Sequence, residues 1–404
     1  MVTRKARLIL PVWSITESHS HRLPHMNSPS SSLFQGPSNS SRYAIRCLVP
    51  NLPPASELLP YLERIEQNRW YSNFGPLLLE YENRLAQMIG GRCVTLSSGT
   101  AALELGITAL ALPAGSHVIL PAFAFPAPLL AVLRCGLQPV FCDVCPDTWT
   151  LTPEIALEAL ARSDCKLVLP VSTFGHPLPT EAWDRFAQTT GVAVLMDAAP
   201  ALGLQRVGKL AHAAFSLHAT KPLGIGEGGV FATSDADLAE RVRRITNYGL
   251  AHGLVSHPGG TNAKLSEYAA AVGLVQLERW PELLNRRLSI WRQYSAALSE
   301  LPGIRIQAGW TELPPTLLSV HLPVNASRVA IAMTAAGIET RRWYLPPLHH
   351  HPLFAGMDRL GPHGETTLPV TENIALHHLG LPFHTYLSEG DISSISQAVG
   401  ACLL

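Results

Sequence analysis

The sequence has no apolar run of bilayer-spanning length, no surplus of either charge and no disulfide framework, and each absence removes a class of function. A spanning helix needs about 20 consecutive apolar residues, so a membrane protein is not expected. Thirty basic and thirty acidic residues cancel, which leaves no electrostatic case for nucleic acid or an anionic membrane surface as a partner. Seven cysteines scattered from Cys47 to Cys402 do not form a paired set. Cys142 and Cys145 make one C-x-x-C, with no second pair to complete a zinc or redox site. Reduced thiols and a cytoplasmic location are therefore expected. Charged residues make up 15% of the chain against 47% hydrophobic. A chain of 404 residues with that balance can bury a large core and carry a smaller lobe beside it.

Residues 1–45 differ from the rest. Arg4, Lys5 and Arg7 precede a short apolar stretch, Leu8 to Trp13, and a Ser-, His- and Pro-rich segment follows. Pro11 interrupts the apolar stretch and no small-residue cleavage site follows, so a disordered tail is expected in preference to a secretory signal. Helical apolar spacing covers 55–70 and 77–89, and Gly90-Gly91 stops the second helix. Short apolar strands at 93–96, 117–120, 139–142, 167–171 and 192–197 then alternate with helices at 101–110, 127–134, 153–161 and 180–189. That rhythm predicts an α/β fold, a mostly parallel sheet covered by helices on both faces. After a strand at 229–233 and a helix at 235–245, residues 267–299 are helical, with Pro281 expected to interrupt them. Short strands and helices follow. The expected domains are a large one over 46–285 and a small α+β one over 286–404.

Ligands of such sheets bind beyond the carboxyl ends of the strands, where Ser97, Pro121, Ser172 and Asp197 fall. Lys221 lies in Phe215-Ser216-Leu217-His218-Ala219-Thr220-Lys221, directly before the glycine run Gly224-Ile225-Gly226-Glu227-Gly228-Gly229. Burial lowers the pKa of a lysine and makes its amine nucleophilic, and glycines let backbone approach a ligand closely. A lysine to hold a carbonyl and a strand-end carboxylate, Asp197, to pair a cationic ring nitrogen are what pyridoxal phosphate requires. Ser97-Ser98-Gly99-Thr100 opens a helix, and its free N–H groups suit a phosphate, although Ser and Thr cap helices in any protein. Phe125 could stack on the cofactor ring, though an aromatic at a strand end is more often core. The literal G-x-G-x-x-G at 224–229 precedes a strand where a dinucleotide site needs a helix, so that reading is rejected. No metal is expected at His349-His350-His351, because adjacent histidines on a proline-flanked loop do not readily share one ion.

With these residues in view the chain resembles the DegT/DnrJ/StrS family of nucleotide-sugar aminotransferases. The resemblance runs from about Val49 to the C-terminus. It rests on Asn73-Phe74-Gly75-Pro76, residues 97–103, 121–125, 139–144, 170–177, 197–203 and 215–229, Asn247-Tyr248-Gly249, residues 260–265 and 269–277, and Tyr344-Leu345-Pro346-Pro347-Leu348. It implies the fold-type-I, aspartate aminotransferase-like architecture. The wording around Lys221 and Asn262 is most similar to the branch that aminates C4 of a dTDP-4-keto-6-deoxyglucose, with L-glutamate as donor. Carried over by position, Lys221 would hold the cofactor and shuttle the proton, and Asp197 would pair the ring nitrogen. Phe125 would stack on the ring, and Gly99, Thr100 and Ser216 would bind the phosphate. Asn262 would reach the phosphate in a neighbouring subunit, which implies a homodimer with shared sites.

Three positions depart from that pattern. Pro200 stands where the family usually has Gln or His, Ser172 where histidine is common, and Ala124 where threonine is common. Proline cannot donate a hydrogen bond, so a rearranged cofactor pocket is expected. The same departures keep open a second possibility, a non-catalytic or regulatory PLP-binding homologue.

Overall fold

The computed structural model describes residues 43–310 and 313–403. The expected tail falls outside them as far as residue 42; Ile45 already bridges Ile338. In chain order the elements begin with α1 (Ala55–Asn68), α2 (Pro76–Ile89), β1 (Arg92–Leu96), α3 (Gly99–Ala109), β2 (His117–Pro121), α4 (Pro126–Arg134), β3 (Gln138–Cys142) and α5 (Pro153–Leu160). They continue with β4 (Cys165–Val168), α6 (Thr180–Thr190), β5 (Ala193–Asp197), β6 (Ala211–Ser216), β7 (Gly229–Thr233), α7 (Ala236–Thr246), β8 (Leu250–Ala251) and β9 (Leu254–Val255). The remainder is α8 (Glu267–Ser299), β10 (Arg305–Ile306), β11 (Ser319–His321), α9 (Ala326–Ala335), β12 (Asp358–Leu360), α10 (Pro369–His377), β13 (His378–Gly380) and α11 (Glu389–Ala401).

Local chemistry sets many of these starts. Ser98, Thr152, Asp235 and Ser266 accept backbone N–H bonds at the N-termini of α3, α5, α7 and α8, satisfying donors that a first turn leaves free. Ser388 and Asp391 form a reciprocal capping box at α11. Proline opens α2, α4, α5 and α10, where its missing N–H costs nothing.

The main sheet has eight strands in the order β1-β7-β6-β5-β4-β2-β3-β12. All neighbours are parallel except β7, which runs antiparallel to both β1 and β6. Alternation sorts its side chains into two cores. Val194, Met196, Ala211, Ala213 and Phe215 pack on the face that also holds residues of α2 and α8. Leu195, Ala214 and Phe231 pack on the other, against α3, α4 and α7. Helices on both faces of a mostly parallel sheet are the architecture expected from the sequence. A third core gathers residues of α8, α9 and α11 over the antiparallel sheet β10-β11-β13.

Two local expectations fail. Pro281 does not interrupt α8, which is continuous over 33 residues. Trp280 and Leu283 beside it are buried, so packing on both sides of the proline carries the helix through the lost hydrogen bond. No strand was expected at β6, whose composition (Ala-His-Ala-Ala-Phe-Ser) lacks β-branched residues; pairing between β5 and β7 imposes it.

Candidate active site

The period-2 alternation that puts Leu195 and Ala214 on the α3 side of the sheet places Asp197 and Ser216, two residues on, at the same side's upper edge. Asp197 ends β5. Its backbone is held on both sides, donating to Pro170 O (2.8 Å) and accepting from Ser172 N–H (2.9 Å). Its carboxylate oxygen Oδ1 accepts from Ala199 N–H at 3.0 Å, and the residue is only 4% exposed. Burial pushes the carboxyl pKa up to about 6, against the opposing pull of the Ala199 N–H and of the Lys221 charge.

Lys221 is presented by the tight turn that follows β6. Leu217 N–H donates to Gly228 O and Ala219 N–H to Gly226 O, both at 2.8 Å, and Lys221 N–H closes on His218 O at 2.8 Å. Burial lowers the ammonium pKa below its ordinary value, and the Asp197 charge pulls the other way. Lys221, on the turn after β6, and Asp197, at the end of the parallel neighbour β5, lie at the same end of the sheet.

Gly99, at the start of α3, closely approaches Ser216 at the end of β6, and Thr100 follows in the same first turn. Ser98 Oγ accepts from Ala101 N–H at 3.0 Å and Ser98 O from Ala102 N–H at 3.0 Å, so the N–H groups of Gly99 and Thr100 open the helix without an intrahelical acceptor. A Cβ on Gly99 would stand 2.9 Å from Ser216 Cβ, and one on Gly229 only 2.1 Å from Ser98 O. This closeness makes a prediction. Gly229→Ala is expected to push the Ser98–Thr100 turn outward, cost about 1–3 kcal/mol of stability and weaken phosphate retention. Thermal melting and a cofactor titration of the variant check both effects.

The remaining two expected residues are both exposed. Phe125 caps α4 with 60% of its surface exposed; the buried aromatic of that segment is Phe123, packed against Phe174, Tyr344 and His378. Asn262 is exposed, bridges Asn247 through its backbone and lines an open cleft of about 620 Å³ with Asn73, Tyr248 and Lys264. Lys221 lines a separate small cavity of about 30 Å³ with Asn51, Arg287, Thr316 and His384.

The structure adds groups that sequence reasoning did not single out. The Tyr344 phenol is pushed up by burial and then by the charge of Asp197. Its ring stacks on Phe174 at 5.7 Å. Tyr344 sits in the Tyr-Leu-Pro-Pro-Leu run already noted, and that was the available signal. Thr316 donates from Oγ1 to Pro200 O at 2.5 Å. Arg287 is buried and donates to Pro315 O and Thr316 O at 2.6 and 2.9 Å. No motif marked either residue.

These features fit pyridoxal phosphate. A buried carboxyl whose pKa is raised for want of a strong cationic partner suits a pyridinium. An amine whose ammonium form is disfavoured by burial suits an aldehyde. A helix start too crowded for any Cβ at Gly99 or Gly229 suits a phosphate held by backbone. Comparison with known proteins agrees. The DegT/DnrJ/EryC1/StrS aminotransferase family matches residues 55–400. The erythromycin biosynthesis sensory transduction protein EryC1 of Saccharopolyspora erythraea is 34% identical over 80% of this chain and 89% of its own. The dTDP-4-amino-4,6-dideoxy-D-glucose transaminase of Escherichia coli is 30% identical over 86% of this chain and 96% of its own. The crystal structure of DesI in the presence of its TDP-sugar product superposes with a TM-score of 0.79 at 31% identity, covering 88% of this chain and 93% of that one. A family match over residues 55–400, together with a relative 34% identical over 80% of this chain, means that the chain belongs to the DegT/DnrJ/EryC1/StrS aminotransferase family.

Proposed function

We propose that this protein moves an amino group from L-glutamate to a nucleotide-linked ketosugar, at C4 of a dTDP-4-keto-6-deoxyhexose. The cofactor is pyridoxal 5′-phosphate, which when bound supplies an aldehyde for amines and a cationic ring that draws electrons from the reacting carbon. The observations that carry the reading are Asp197, buried at the carboxyl end of β5, and Lys221, on the turn that follows its parallel neighbour β6. The transaminase and TDP-sugar relatives support the substrate class.

In this reading Asp197, held by Ala199 N–H, keeps the ring nitrogen protonated. Lys221 Nζ, whose ammonium form is disfavoured by burial, takes the proton from the donor's Cα and returns it on the other side of the transfer. Gly99, Thr100 and Ser216 hold the phosphate at the α3 N-terminus, and the exposed face of Phe125 stacks on the ring. Asn262, on the surface, serves the site of a second subunit, so the working unit is a homodimer.

Incubation with 15N-labelled glutamate and a panel of dTDP- and UDP-ketosugars tests this. Labelled amino sugar is expected from dTDP-4-keto-6-deoxy substrates, with nitrogen on C4 by NMR. Nitrogen at C3, or turnover restricted to UDP sugars, would sink the substrate assignment. Pro200 and the name of the EryC1 relative favour one further reading, a non-catalytic, regulatory PLP-binding protein. Glutamate alone separates the two: the transferase releases one 2-oxoglutarate per site, and the regulatory protein none.

A further inference from the structure

Three side chains that the transfer does not use converge past the carboxyl ends of β2 and β3. Leu348 N–H donates to Ala122 O at 3.0 Å, anchoring the single helical turn Leu348–His350 above β2. His349 is 2% exposed, its ring beside Phe141 of β3. Glu372 lies in the first turn of α10. Asp143, just past β3, fixes that turn by accepting from Val370 N–H (2.9 Å) and Thr371 N–H (2.7 Å). Nε2 of His349 and Nε2 of His350 each stand 2.7 Å from the same Oε1 of Glu372, and the three ligand atoms all lie within 4.8 Å of one another.

We propose that His349, His350 and Glu372 form a zinc site whose fourth position is open to water or to an oxygen of a ligand. Two imidazoles and one carboxylate are a donor set that zinc takes, with bonds of about 2.0–2.2 Å. Tetrahedral angles at those lengths separate donors by about 3.3 Å, so each N···O distance opens by about 0.6 Å. The movement falls on His350 and Glu372, whose side chains are 46% and 38% exposed, while His349 stays in the core. Adjacent histidines alone diverge, which was the sequence argument against a metal; the third group, from α10, supplies the point on which both nitrogens close.

A carboxylate accepts and cannot donate, so without metal Nε2 of His349 carries the hydrogen it gives to Oε1, while Nε2 of His350 stands at ion-pair distance from the same oxygen. Zinc needs both lone pairs, and each ring then carries its proton on Nδ1. Nδ1 of His349 is buried with no partner, so this imidazole lacks the outer acceptor that strengthens most sites. The site therefore binds zinc less tightly than a fully supported one.

Zinc chloride titrated into the metal-free holoenzyme tests the proposal, followed by isothermal calorimetry and X-ray absorption. One equivalent is expected in a shell of nitrogen and oxygen only. His350→Ala and Glu372→Gln are each expected to weaken it by more than about tenfold, since losing an outer-shell partner alone costs 10–100-fold. The proposal fails if wild type takes up no zinc, if both variants bind as wild type does, or if the shell contains sulfur, the signature of the cysteines. Melting temperature and cofactor loading report folding; His350 is on an exposed turn, so its variant decides the matter if Glu372→Gln unfolds.

Discussion

Lys221→Ala is expected to abolish amino transfer while leaving a folded protein that still takes up pyridoxal phosphate. In the proposed reading two functions disappear together: the covalent attachment to the cofactor and the base that moves the Cα proton. General base catalysis alone is worth about 10²–10⁴-fold, and with the nucleophile also gone the loss should reach at least the upper end of that range. The helix start at Gly99 and Thr100 and the carboxylate of Asp197 remain, so binding persists by contacts that do not involve the amine. Borohydride reduction separates these statements. In the wild type, reduction and digestion should leave the pyridoxyl group on the peptide that contains Lys221; in the variant no peptide should carry it, although the cofactor still co-purifies. Turnover retained in Lys221→Ala, or a label on another lysine, would overturn the assignment. The fold should survive, because burial already disfavours this ammonium and its removal relieves a desolvation cost.

How much of this site could be read in advance depended on whether the relevant contact is local. β5 was legible because Val194, Leu195 and Met196 form an apolar run that ends on one carboxylate, and a parallel sheet puts such an end at the ligand side. The α3 start was legible because Ser98 sits where a cap must sit. β6 was not, because its alanines are there for space: a crowded three-strand contact selects small side chains, and small side chains carry no strand signal. Nor could Pro281 be placed correctly by a local rule, since the packing that overrides it comes from distant segments. Glu372 reaches the histidines only because Asp143, 227 residues before Val370, fixes the start of α10. Such pairings are properties of the closed fold, with no periodicity to announce them.

Asp197→Asn is expected to change stability and activity in opposite directions. In the folded, cofactor-free protein the carboxyl holds its proton up to about pH 6, against an ordinary value of 3.8. Between those values the native state binds a proton that the unfolded chain has released. Stability from this group is therefore full below about pH 4, falls as pH rises toward 6 and stays low above. The shift corresponds to roughly 3 kcal/mol. Asparagine keeps a carbonyl oxygen for Ala199 N–H and carries no charge to bury. The cofactor-free variant should therefore melt higher than wild type at pH 8, by up to roughly 3 kcal/mol, and the difference should vanish near pH 4. Catalysis runs the other way. Removing one side of a buried ion pair costs about 3–5 kcal/mol, so in the proposed reading transfer should fall by about 10²- to 10⁴-fold as the ring nitrogen loses the charge that keeps it protonated. A merely structural carboxylate predicts a variant that is less stable at pH 8 and loses activity only in proportion to unfolding. A carboxylate placed to meet a cation predicts a more stable apoprotein and a poor enzyme, and melting curves at two pH values with one rate measurement decide between them.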